Sequence, residues 1–262
     1  LSKLIPALCL VALVAFMVPP VGAVSADEEE LARALRRQYG GLTSWEAVMT
    51  FADSPGVSVH VWQSRGRWRQ EWTFPAEPSG ASHNGSVADS GEAFAVAVGM
   101  DGRVVASCLE GDFALSPLML WMPAGPVDRW KAWGVDIAER SYGFCGDAPC
   151  LMLGAEPGDA VGPAVWLHNE DMAPLMVRYR DGRRMVEIQF AGYLTLSGFR
   201  LPGQVNIRVG DAATTATVRW IAINRADGEA LYARDNLGSR PCAVPPPPFD
   251  LLRDAVRHPS PE

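Results

Sequence analysis

The clearest periodicity in the chain runs over residues 57–74, VSVHVWQSRGRWRQEWTF. Val57, Val59 and Val61 alternate with Ser58, His60 and Trp62. After Arg65-Gly66 the pattern resumes, with Trp68, Trp72 and Phe74 on one face and Arg67, Arg69 and Glu71 on the other. A repeat of two sends successive side chains to opposite faces of a pleated strand, so this stretch predicts a hairpin. Three large aromatics on one face of so short a ribbon need a broad apolar surface to cover. They are expected to help wall a concavity around which an antiparallel sheet curves.

The same period recurs along the chain. Residues 47–52 lead into the hairpin, and 93–100 and 103–109 flank Asp101-Gly102, a two-residue turn of the kind that closes hairpins. Further strands are expected over 137–144, 150–155, 164–168, 175–180, 184–191, 203–209 and 214–223, with turns at Asp181-Gly182 and 211–213. Val186, Ile188, Phe190 and then Val205, Ile207, Val209 alternate cleanly, one face buried and one wet. Roughly a dozen strands in series need only connections between neighbours. Residues 77–91 are Ser, Gly and Asn-rich without periodicity, and read as a loop.

A helical period appears in four places. Over 27–39, Leu31, Leu35 and Tyr39 are spaced by four, Glu28, Glu29 and Glu30 open the helix, Arg36 and Arg37 close it, and Gly40-Gly41 stops it. Its single apolar stripe predicts a helix lying on the sheet. Residues 113–122, FALSPLMLWM, are apolar almost all round, and 126–135, PVDRWKAWGV, begin with proline and place Trp130 and Trp133 three apart. Two short helices are expected there, either plugging one end of a sandwich or forming a lid over a curved sheet. After the proline-rich 242–248, a short amphipathic helix starts at Phe249 and carries Leu251, Leu252 and Val256, with disorder expected beyond His258.

Composition narrows the function. Of 262 residues, 48% are hydrophobic, ample for a core. A net charge of -7, with no cluster of four or more basic residues, argues against a nucleic-acid partner. Residues 1–26 read as an export signal: Lys3, an apolar run over 8–18, then the small residues Val24-Ser25-Ala26, with cleavage after Ala26. The alternative is an uncleaved anchor, for which the run is short. Leu8 before Cys9 argues against a lipid-modified cysteine. Four cysteines then remain, Cys108, Cys145, Cys150 and Cys242, and an even number in an exported chain suggests two disulfides. Three pairings exist. The turn-like GDAP spacer favours Cys145–Cys150, leaving Cys108–Cys242; a zinc site is the alternative, without a CxxC pair or nearby histidine to support it.

Candidate chemistry is sparse. The histidines are His60, His83, His168 and His258. His168-Asn169-Glu170-Asp171 is the one place where a histidine meets carboxylates, and it reads as a solvated turn. There is no nucleophile elbow and no phosphate loop. No catalytic residue, metal or cofactor is therefore expected, and the chain does not read as an enzyme. It is instead rich in bulky apolar groups, with nine tryptophans and nine methionines. Met119, Trp121, Met122, Trp130 and Trp133 all fall in the two short helical segments. Adaptable thioethers and broad indoles suit flexible hydrocarbon; they also suit a large core.

The order of these pieces resembles the LolA/LolB-like periplasmic lipoprotein carriers. The resemblance is carried by RQYGGLTSWEA (37–47), GRWRQEWTFP (66–75) with Arg69 and Glu71 leading to Pro75, the Asp101-Gly102 hairpin, GFRLPGQVNIRV (198–209) with Pro202, and IAINRADGEALYA (221–233) with Asn224. It implies a mainly β (α+β) fold: a curved antiparallel sheet forming an open half-barrel, an N-terminal helix and short lid helices. The domain would span 27–240, between a signal peptide (1–26) and a Pro-rich tail (241–262). It implies a periplasmic, monomeric carrier that holds acyl chains of lipids or lipoproteins on their way to the outer membrane, with transient inner- and outer-membrane partners. Trp62 and Trp72, with Leu118, Met119, Trp121 and Trp130 of the lid, would line the cavity, and Arg69 would hold the lid by its backbone. The 77–91 segment, the four cysteines and the Pro-rich end depart from the family pattern. The alternative is a periplasmic sensor or interaction module of the same fold that regulates an envelope-stress or membrane partner.

Overall fold

Period-two patterning gathers twelve strands into one sheet. They are β1 (Ser44–Phe51), β2 (Ser54–Ser64), β3 (Arg67–Pro75), β4 (Glu92–Met100), β5 (Arg103–Ser107), β6 (Arg140–Cys145), β7 (Ala148–Gly154), β8 (Ala164–His168), β9 (Pro174–Asp181), β10 (Arg184–Ala191), β13 (Gln204–Val209) and β14 (Ala212–Ile223). A separate two-stranded hairpin, β11 (Leu194–Leu196) and β12 (Phe199–Leu201), lies between β10 and β13 in the chain. The computed structural model describes residues 26–76, 92–123, 125–182, 184–237 and 242–256. The expected export signal, the 77–91 loop and the chain past His258 lie outside them.

Across the sheet the order is β5-β4-β3-β2-β1-β14-β13-β10-β9-β8-β7-β6, with every pair antiparallel. The chain's first and last sheet strands meet in the middle, Trp45 opposite Ile223 and Phe51 opposite Ala216. β5 and β6 are open edges, so the sheet is not closed: a mainly β half-barrel with short helices on its inner face. The two-residue turns expected at Arg65-Gly66 and Asp101-Gly102 have positive φ at both positions (49° and 87°; 49° and 77°), matching the right-handed twist of the strands they join.

The inner face is a continuous apolar core. From β1 come Trp45, Ala47, Met49 and Phe51; from β2, Val57, Val59 and Val61; from β3, Trp68, Trp72 and Phe74. Trp68 lies directly across from Gly99, where an added Cβ would come within 2.2 Å of the indole ring. Glycine makes room for that tryptophan. Helix α1 (Ala26–Tyr39) lays Leu31, Leu35 and Tyr39 on this core, as its stripe requires.

The lid is less helical than its composition suggests. Over 113–122 only α2 (Leu118–Trp121) is helical, a single turn after Pro117. Proline disfavours the α conformation in the residue before it, so Phe113, Ala114, Leu115 and Ser116 run irregularly. Helix α3 (Pro126–Ala132) starts with proline in the position that needs no N–H and is followed by Gly134 at φ 82°.

Both expected disulfides form, Cys108–Cys242 and Cys145–Cys150. After β14 the chain crosses the outer face of β3 through two 3-10 turns, Glu229–Tyr232 and Arg234–Asn236. Cys242 is then bonded to Cys108 and bridges to Phe94 of β4. From there the chain enters the inner side as α4 (Phe249–Ala255), where Phe249, Leu252 and Ala255 are buried.

Candidate functional site: a cavity between the first helix and the lid

A cavity of about 600 Å³ opens between α1, the start of β1, the β2–β3 turn and the lid. Its apolar wall is made by Ala32, Leu35, Tyr39, Leu42, Trp45, Met122, Pro123, Pro126 and Val127. Glu28, Glu29, Arg36, Arg65 and Asp128 bring charge to it, of both signs. The volume falls within the roughly 300–1,000 Å³ of small-molecule sites. At about 30 Å³ per water-sized group it has room for some twenty such groups, enough for one long hydrocarbon chain.

Two polar contacts tie the outer side of α3 across this opening. Lys131 Nζ lies 3.0 Å from Glu28 of α1, and Arg129 donates to the carbonyl of Asp101 at 3.2 Å. Exposed pairs of this kind contribute at most about 1 kcal/mol each, so what holds α3 is chiefly the burial of Val127 and Trp130 and the stacking of Trp133, just past it, on Tyr179 at 4.9 Å. Burial and the neighbouring Arg103 both lower the Arg129 pKa. The stretch before α2 is fixed far more firmly. Gln70, fully buried on the inner face, donates to the Ala114 carbonyl (2.6 Å) and accepts from the Ser116 N–H (2.7 Å), and the Ser116 hydroxyl meets Met49 Sδ at 3.0 Å. The lid thus has one half, 113–121, fixed by buried hydrogen bonds and another, α3, seated by apolar packing and preceded by Gly125 at φ 60°.

The residues the sequence assigned to the cavity sit elsewhere. Trp72, Trp121 and Trp130 are fully buried behind its wall, and Leu118 is 1% exposed. Trp72 stacks on Phe51 at 6.0 Å; Trp121 packs on Tyr39 at 5.5 Å and donates to the Tyr193 hydroxyl at 3.3 Å. Leu118 and Met119 line a narrow crevice of about 20 Å³ beside the main cavity. Trp62 stands on the opposite, outer face, because it has the parity of Ser58 and His60 in β2; it stacks on His60 with centroids 3.6 Å apart. The indole N–H groups of Trp68, Trp72, Trp130 and Trp133 have no acceptor among the described residues, each at a cost of about 1–3 kcal/mol. Rings that bury roughly 150–250 Å² apiece offset that cost, so these four act as packing.

Arg69 does bind backbone carbonyls, but those of a different segment. It is 7% exposed, pairs with Glu71 at 2.6 Å, and donates to the carbonyls of Leu231 (3.2 Å) and Asn236 (2.7 Å) in the strap that crosses the outer face. Its neighbour Gln70, one position on and therefore on the inner face, is the residue that holds the lid. The signal for Gln70 was present: it is the polar member of the set Trp68, Gln70, Trp72, Phe74. Tyr39, Leu42 and Trp45 lie in RQYGGLTSWEA, a stretch singled out for its resemblance but not as cavity wall. On the other half of the sheet Arg178 repeats the Arg69 arrangement, donating to the carbonyls of Gly162 (2.8 Å) and Asp159 while paired with Glu187 at 3.4 Å.

The His168 turn is not solvated as expected. His168 is buried, lies 3.2 Å from Asp171, and Arg200 reaches the same carboxylate at 2.6 Å. Arg200 comes from β12, whose three residues are too short to show a period in the sequence. Among the described residues no group of three or more His, Cys, Asp or Glu stands in a metal-binding arrangement, and no helix is long and apolar enough to cross a membrane.

No protein-family profile matches the sequence, and no curated protein matches it. Among solved structures, the fold is similar to a DUF1329 family protein from Desulfovibrio piger (12% identity, 82% of this chain and 99% of that one, TM-score 0.45). It is also similar to a LolA superfamily protein from Nitrosomonas europaea (12% identity, 80% of this chain and 99% of that one, TM-score 0.42).

Proposed function

We propose that the protein is a periplasmic carrier that takes one acyl chain, of a lipid or lipoprotein, into the cavity between α1 and α3. The observation that carries this reading is the cavity itself: about 600 Å³, an apolar wall, charged groups beside it, and a short helix, α3, packed along its rim. Each methylene moved from water to such a wall gains about 0.8 kcal/mol, so a chain filling it binds far more strongly than its polar end. Charges of both signs suit a headgroup left in water. The two disulfides fit an oxidising compartment, and the resemblance in sequence points the same way. Release then requires a membrane partner that favours α3 swung away.

The test is native mass spectrometry of the protein from its own envelope, with titration of a fluorescent fatty acid into delipidated protein. A bound lipid, and affinity lost at least tenfold in Val127→Glu, is expected; no lipid and no titratable binding refutes the proposal.

A second reading, an interaction module, draws on the edge strand β6. Tyr142 and Phe144 there are 70% and 72% exposed beside an open strand edge, which suits an added strand from a partner. Stoichiometric capture of one envelope protein, abolished by Tyr142→Lys with Phe144→Lys and indifferent to lipid, would favour it over the carrier.

A further inference from the structure

We infer that α4 is a tethered occupant of a second, deeper apolar subsite, which long acyl chains enter by displacing it. The inference rests on the carrier reading above. It begins with the path of the chain. The strap leaves β14 on the outer face, is stopped at the sheet's edge by the Cys108–Cys242 disulfide, and only then turns inward. Inside, Phe249 sits edge-on against Trp72 (5.1 Å, 75°) and Phe113 (5.8 Å, 90°), and Tyr179 of β9 donates to the Ala255 carbonyl. α4 therefore spans the inner face from β3 to β9. Its first residue fills the apolar space between Trp72 and Phe113.

The C-terminal end of α4 lies beside the mouth. Val256, just past α4, lines the 20 Å³ crevice together with Leu115, Leu118 and Met119. That crevice shares Trp45, Gln63, Gly66, Met122 and Pro123 with the 600 Å³ cavity. Mouth, crevice and the end of α4 are thus neighbours inside the half-barrel, and the space between Trp72 and Phe113 is filled by the protein itself.

The helix has the features of a competitor. Its seven residues are too few to be stable alone. It presents Phe249, Leu252 and Val256 as a single stripe, while Asp250, Arg253 and Asp254 pair outside it. Between Cys242 and Phe249 the tether is Ala-Val followed by four prolines, a short spacer of restricted φ that ends in a turn where the Phe249 N–H donates to the Pro246 carbonyl at 3.1 Å. Such a tether keeps α4 at a local concentration in the millimolar range. A short chain fills the mouth and leaves α4 seated. A longer one gains more contact only by replacing it.

The test is hydrogen exchange on the full, oxidised chain with lauric acid and with oleic acid, together with Phe249→Ala. Oleic acid is expected to speed exchange at the α4 amides about tenfold or more, while lauric acid leaves them protected. Phe249→Ala should tighten oleic acid by about tenfold or more and leave lauric acid unchanged, since it weakens only the competitor. Unchanged α4 protection with oleic acid bound overturns the inference, as does equal weakening of both acids by Phe249→Ala. If that variant does not fold, exchange in the unaltered chain decides. Failure of either acid to bind overturns the carrier reading as well; binding with α4 still seated overturns this inference alone.

Discussion

Arg69 gives the most direct test of how the outer face is held. Methionine at this position keeps most of the stem's volume and removes the guanidinium. Three partners are lost: the Asn236 carbonyl at 2.7 Å, the Leu231 carbonyl at 3.2 Å, and the Glu71 carboxylate at 2.6 Å. A hydrogen bond to a charged group is worth about 1.5–3 kcal/mol, and the 3.2 Å bond belongs at the low end. Glu71 is one-third exposed, so water takes up most of what its carboxylate loses. The sum is about 3 kcal/mol for Arg69→Met. In a chain of this size that lowers Tm by about 6–12 °C. Urea unfolding followed by tryptophan fluorescence measures it, and hydrogen exchange over 229–237 shows whether the strap detaches. Arg69→Lys should recover less than half, because an ammonium lacks the planar fork that serves carboxylate and carbonyls together. A loss under about 0.5 kcal/mol with the strap still protected refutes the reasoning.

Other outcomes follow from the same contacts. Gln70→Ala leaves the Ala114 carbonyl and Ser116 N–H unpaired in a dry core; a cost of about 2–4 kcal/mol, with faster exchange confined to 113–121, is expected by denaturant titration. The two disulfides should differ by their loop lengths: with a separation of 134, removing Cys108–Cys242 costs about 5 kcal/mol, and with a separation of 5, removing Cys145–Cys150 costs about 2. Paired Cys→Ser variants compared by urea midpoint check that order. Burial pushes the phenols of Tyr39, Tyr179, Tyr193 and Tyr232 well above 10.0. A raised folded value means stability that is complete below pH 10 and lost as pH rises past it, so phenolate absorbance should grow together with unfolding in alkaline titration.

Strands were readable because parity is a local property. Val57-Val59-Val61 and Val205-Ile207-Val209 fix which side of their strands is buried, whatever lies across from them. Turn chemistry was equally local at Arg65-Gly66 and Asp101-Gly102. The cavity was not, because its walls come from α1, β1, the β2–β3 turn and α3, brought together by long-range pairing. Counting tryptophans pointed to the wrong side chains: the largest apolar groups are the ones a core closes over first, so Trp72, Trp121 and Trp130 ended as fully buried packing. Trp62 and Arg69 share one cause of misplacement. They are directly paired across β2 and β3, on the face away from the core, and parity applied strictly would have put both outside. The β11–β12 hairpin escaped notice because its strands are three residues each and its first is exposed throughout.

The join between β1 and β14 has a consequence for assembly. Five strands on one side of it and seven on the other are each built by neighbour pairing, yet the two ribbons are held edge to edge only by segments near opposite ends of the polypeptide. A chain interrupted before Ala212 would have two ribbons with bare inner borders and no seam. Such distant pairing is slow to form, so completion of the shell, and with it any interior able to hold a guest, waits for the last strand to arrive.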